Sequence, residues 1–111
     1  MDKRTNEIIS NYIASVAAQN TQFVKAYLFG SYAKHTDRID SDIDIALIID
    51  NLKDEEKFDL QVQLMLLASN FDMRIEPHPI SLIDFTSENP FAKEIKRTGI
   101  EIEPLAPVAW Y

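Results

Sequence analysis

Apolar residues recur along this chain with two different periods. Between residues 5 and 20, Ile8, Ile9, Tyr12, Ile13, Val16 and Ala17 return every third or fourth position. That spacing predicts a helix with one buried stripe, and Thr5 stands where a cap is wanted. Asn20-Thr21-Gln22 turns the chain into Phe23-Val24-Lys25-Ala26-Tyr27-Leu28-Phe29, which reads as a strand, and residues 42–49 read as a second. A helix is predicted over 54–69. It opens with Asp54-Glu55-Glu56, acids that complement a helix N-terminus, and stops at Asn70; Phe58, Val62, Met65, Leu66 and Ser69 are taken as its buried face. Residues 71–77 read as a third strand, with Asp72, Arg74 and Glu76 on one face and Met73 and Ile75 on the other. His78, between Pro77 and Pro79, is read as a loop residue in a rigid turn. Ser81 caps a short helix to about Phe85, and Asn89-Pro90 opens another over Phe91–Thr98, ended by Gly99. Residues 100–103 alternate as a last strand, and the apolar tail Leu105–Tyr111 folds back on the body or meets a partner.

The chemistry gathers between the first two strands. Gly30-Ser31 follows the first, and residues 31–35 are expected to start a short helix. Backbone N–H groups at such a start point outward and can hold phosphate oxygens, as can the Ser31 hydroxyl. Lys34 is a solvated lysine in the plain reading and a phosphate contact in the functional one. Asp42 and Asp44 lie two apart, so they share one strand face while Ile43 and Ile45 enter the other. Adjacent carboxylates repel, and each favours its protonated form unless a cation lies between them. A pair of Mg²⁺ ions, which take carboxylate oxygens, makes the arrangement favourable. Phosphate on one side and metal on the other is the equipment for nucleotidyl transfer.

Composition narrows the field. Eleven basic against 18 acidic residues give −7, which argues against gripping a long stretch of nucleic acid, since that needs a basic surface. A nucleotide carried with its own Mg²⁺ suits the acidic balance better. With no cysteine there are no disulfides or thiolate metal sites. No run approaches the roughly 18 apolar residues of a membrane span, and Met1-Asp2-Lys3-Arg4-Thr5 lacks a signal-peptide core, so a cytoplasmic location is expected. The 111 residues are expected to form a single domain, 1–111.

Gly30-Ser31, a spacer of ten residues and Asp42-Ile43-Asp44, set between apolar strands, resemble the signature of the DNA polymerase β-type nucleotidyltransferase superfamily. Within it the chain is most similar to the minimal nucleotidyltransferase (MNT) proteins, many of them paired with HEPN-domain partners. The resemblance implies an α/β (α+β) domain with a small mixed sheet and helices packed on one face. It implies transfer of AMP from ATP to a hydroxyl, with Gly30, Ser31 and Lys34 on the nucleotide and Asp42 and Asp44 on two Mg²⁺ ions. A third carboxylate on the strand after the long helix would complete the metal site and take the proton from the attacking hydroxyl; Glu76 fits that frame, with Asp72 as runner-up. The family commonly has a second glycine where His35 stands. A HEPN-domain protein is the implied partner and acceptor, with a homodimer or a small molecule such as an aminoglycoside as other possibilities. The competing class is a binding module that neutralises its partner by contact alone.

Overall fold

The structure is a computed structural model that describes residues 2–36, 38 and 41–103. Helix α1 (Lys3–Gln19) leads into strands β1 (Phe23–Phe29) and β2 (Ile43–Ile49). Helix α2 (Asp54–Ala68), strand β3 (Ile75–Ser81), the short helices α3 (Leu82–Phe85) and α4 (Pro90–Thr98), and strand β4 (Ile100–Ile102) follow. The sheet order is β3-β2-β1-β4. β1 is antiparallel to β2 and β4, whereas β2 and β3 run parallel, joined through α2. The architecture is a mixed sheet with helices, the α+β class that the resemblance implies, with helices on both faces rather than on one. The tail Leu105–Tyr111 lies outside the described residues.

Alternation on β2 divides the interior. Ile43, Ile45, Leu47 and Ile49 enter the larger core against Ile9, Tyr12, Ile13 and Val16 of α1 and Leu64 and Ala68 of α2. Ala46 and Ile48 face the other way and meet Ile80, Phe85, Ala92 and Ile95. The two long helices therefore share one face of the sheet, and α3 and α4 close part of the opposite one. The α1 stripe is buried as its periodicity predicts, but Asp2 is its cap: the Asp2 Oδ1 accepts from the Thr5 N–H at 2.7 Å, and Thr5 itself is buried.

Two expectations are corrected. The stripe Phe58, Val62, Met65 and Leu66 is not the buried face of α2 but stands in solvent, and Leu64 and Ala68, with Leu60 and Leu67 beside them, enter the core. The helix is apolar on both sides, so its pattern does not say which side the sheet takes. The third strand also starts and ends four residues later than predicted. The Asp72 carboxylate accepts from the Arg74 N–H at 2.9 Å and the Asp72 carbonyl from the Ile75 N–H at 3.1 Å, so residues 72–75 form a turn rather than strand. Pairing then begins with the Ile43 N–H donated to the Arg74 carbonyl at 2.8 Å.

From that bond, alternation turns the backbone groups of residues 76, 78 and 80 toward β2 and those of 77 and 79 toward the open edge. Pro77 and Pro79, which have no N–H to donate, thus sit where no ladder bond is needed, the usual place for proline in a sheet. The outward Pro77 carbonyl accepts from Gln61 Nε2 of α2 at 3.3 Å. His78 is consequently a strand residue rather than part of a turn.

Tyr12 ties α1 to α2, its buried hydroxyl donating to the Leu64 carbonyl at 2.9 Å, and burial pushes its phenol pKa up. Tyr12→Phe is expected to lower unfolding free energy by about 1 kcal/mol, the net worth of one buried bond. Urea denaturation measures it, and an unchanged midpoint would show that this link contributes nothing.

Candidate active site

The Gly30-Ser31 turn lies directly against β2. Phe29 pairs with Asp44 in the β1–β2 ladder, so the chain leaves β1 beside that carboxylate. Gly30 has φ +75°, and a Cβ on it would come within 2.6 Å of Asp44 Oδ2. Glycine is required here twice over, by backbone conformation and by space. Residues 31–35 form a run of turns rather than the short helix predicted. The Lys34 N–H donates to the Gly30 carbonyl at 3.2 Å and the Thr36 N–H to the Ser31 carbonyl at 2.9 Å. Tyr32 is buried under the turn, and its hydroxyl accepts from Arg74 Nη1 at 2.8 Å. His35 has φ +58°, the left-handed conformation that a glycine would take freely. Lys34 is exposed, its Nζ 3.9 Å from a Glu94 carboxylate oxygen.

Parallel register sets Asp44 opposite Glu76. His78, two residues further on the same face, places Nε2 3.1 Å from Asp44 Oδ1. One donor atom each from Asp44, Glu76 and His78 fall within 4.8 Å of one another. Asp42 stands exposed just before β2, with its carboxyl against that of Glu76. Burial, that contact and the charges of Asp42 and Asp44 all push the Glu76 pKa up, and His78 pulls it partly back. Asp72 is engaged elsewhere. Arg74 Nε and Nη2 donate to its two oxygens at 3.0 and 2.8 Å, and that fork holds its pKa below the usual carboxylate value.

Asp42, Asp44 and Glu76 are thus brought together with Gly30, while Asp72 and Lys34 are paired outside the cluster. His78 and Arg74 were missed as contributors. Carrying the period-two alternation past Glu76 puts His78 on its face, but the flanking prolines read as a turn; Arg74 gave no signal of its reach to Tyr32. The Phe29 ring stacks edge-on to His78 at 5.1 Å and to Phe91 of α4 at 5.4 Å, walling the cluster off from the apolar half of that face. Crowded carboxylates, one with its proton held more tightly by its neighbours, together with an imidazole nitrogen, form a donor set that fits a divalent cation.

The sheet thus presents paired acids beside a glycine turn. The family model "Polymerase beta, Nucleotidyltransferase" matches residues 11–103. Among solved structures, an inferred nucleotidyltransferase from Sulfolobus solfataricus is similar with TM-score 0.63 and 20% identity, over 88% of this chain and 78% of that one. A toxin–antitoxin structure with AMP-PNP is similar with TM-score 0.60 and 25% identity, over 86% of this chain and 73% of that one. A mutant of the toxin–antitoxin pair MntA–HpeT gives TM-score 0.58 and 23% identity over the same shares, 86% and 73%. No curated protein matches. The chain belongs to the polymerase β-type nucleotidyltransferase family.

Gly30→Ala is expected to destabilise the protein by about 1–2 kcal/mol, from left-handed backbone strain alone, and to displace Asp44. Thermal unfolding together with a crystal structure of the variant checks both; an unmoved carboxylate would contradict the contact described here.

A second expectation concerns pH. Glu76 is raised in the folded state, so between the ordinary glutamate value and its raised value the folded protein holds a proton that the unfolded chain has released. Stability of the metal-free protein therefore falls as pH rises through that window. Subtracting the Tm-versus-pH curve of Glu76→Gln isolates this contribution, since Asp72 and Glu94 have lowered values and titrate below it. A difference that grows in favour of the wild type as pH rises would contradict the assignment.

Proposed function

We propose that the protein transfers AMP from ATP to a hydroxyl on a protein partner, the toxin of a toxin–antitoxin pair of the HEPN type, and so acts as its antitoxin. The observation that carries the reading is the Asp44–Glu76 register beside Gly30. The family match supports the transferase chemistry, and the 25%-identical toxin–antitoxin structure with AMP-PNP supports both an adenine nucleotide and a toxin partner.

In this reading the Gly30 and Ser31 backbone and the Ser31 hydroxyl hold the distal phosphates. Lys34 reaches them only by leaving Glu94. Asp42, Asp44 and Glu76 hold two Mg²⁺ ions, whose chemistry is to offset charge building on the phosphoryl oxygens. Glu76 takes the proton from the acceptor hydroxyl. The acceptor oxygen bonds to the α-phosphorus as the bond to the bridging oxygen breaks, and pyrophosphate leaves. His78 positions Asp44 through the 3.1 Å contact.

The test is incubation with ATP labelled at the α-phosphate, Mg²⁺ and the product of the adjacent gene. Label is expected on that protein, and Asp42→Asn or Asp44→Asn should reduce it by about 100-fold or more. His78→Ala should slow transfer, whereas His78→Gln, which keeps a nitrogen near Asp44, should retain most of it. An unlabelled partner that binds the wild type and both Asn variants equally would favour a contact-only module instead.

A further inference from the structure

The outer side of α2 carries an apolar stripe that the fold does not use. At about 100° per residue, Phe58, Val62, Met65 and Leu66 fall along one side of the helix, opposite the side chains that enter the core. Phe58 is 74% exposed, Leu66 66%, and Met73 in the following turn 84%. Val62, Met65, Leu66, Met73 and Ile75 line a groove of about 390 Å³ at the far end of the stripe. Isolated exposed apolar residues are ordinary, but a contiguous row of large ones marks an interaction surface.

The charges beside it specify the occupant. Asp54, Glu55 and Asp59 are exposed at the near end of the stripe, and Lys57 is the one basic residue of α2. We propose that this face docks a helix of a partner protein whose own apolar stripe is bordered by lysines and arginines. The proposal rests on the functional reading above only in requiring a macromolecular partner. A second copy of this chain would bring no basic side chain of α2 except Lys57 to meet those acids. α2 covers the sheet face opposite Asp44 and Glu76, so a partner seated there leaves the nucleotide free to enter.

Two synthetic helical peptides of about 20 residues, roughly 30 Å long, with the same leucine stripe but flanked by Lys/Arg in one and by Glu in the other, test this against the 111-residue chain. Amide NMR shifts should map the basic peptide to residues 58–73, with affinity at least about tenfold above the acidic one. The double variant Phe58→Ser with Leu66→Ser should lose about tenfold or more while keeping its Tm. Equal binding of the two peptides, binding of neither, or self-association that the double variant abolishes would overturn the proposal. ATP–Mg²⁺ affinity is measured on the same samples. Its loss in the wild type counts against the transferase reading alone, and its retention in the double variant confirms that the docking face is separate from the site.

Discussion

Parallel pairing of β2 with β3 is the constraint on which the candidate site depends. It sets Asp44 beside Glu76 and carries His78 to the same edge. Like charges opposed on neighbouring strands oppose this register by up to about 1 kcal/mol. The reverse faces of the same residues favour it far more strongly. Ile43, Ile45, Leu47 and Ile49 are all essentially buried, and each contributes on the order of 1.5–3 kcal/mol by leaving water. A slip of one residue would turn that whole set outward, so the core wins and the acids are held together at modest cost.

The face that bears the acids is divided rather than uniformly polar. Where β2 and β3 end, Ala46, Ile48 and Ile80 are roofed by Phe85, Ala92 and Ile95; where they begin, Asp44, Glu76 and His78 lie open, and Phe29 stands between. The apolar half stiffens the strands that carry the polar half. Arg74 braces the other side by joining Asp72 to the Tyr32 hydroxyl, so the turn after Gly30 is tied to the lead into β3. Asp72, considered as a metal ligand from its face alone, is committed to that brace.

What could be read from the chain was what is encoded locally. β1, β2, the Gly-Ser turn and the two aspartates follow from alternation and residue type within one short window, and the same holds for α3 and α4 with their Ser81 and Asn89 caps. What could not be read depended on distant partners. The core side of α2 is chosen by the sheet, because Phe58–Leu66 and Leu60–Ala68 are equally apolar rows. The start of β3 is delayed by the hydrogen bonds of Asp72 to Arg74 and Ile75, although residues 71–77 alternate well enough to pass as strand. His78 was hidden by its prolines, which mark a turn in most contexts and are tolerated here because β3 is an edge strand.

His35 bears on whether departure from the family pattern disables the turn. Its φ of +58° is the conformation a glycine would adopt at no cost. What changes is energy. A non-glycine residue in that region is strained by about 1–2 kcal/mol, although histidine is among the side chains more often found there. The surrounding structure supplies the offset: Tyr32 is buried and bonded to Arg74, Ala33 packs on the main core, and the Lys34 and Thr36 amides close on carbonyls within the turn. With the residues on both sides fixed, His35 follows the path that they impose. The turn beside Gly30 and Asp44 thus holds His35 in a conformation open to glycine, at the cost of that strain.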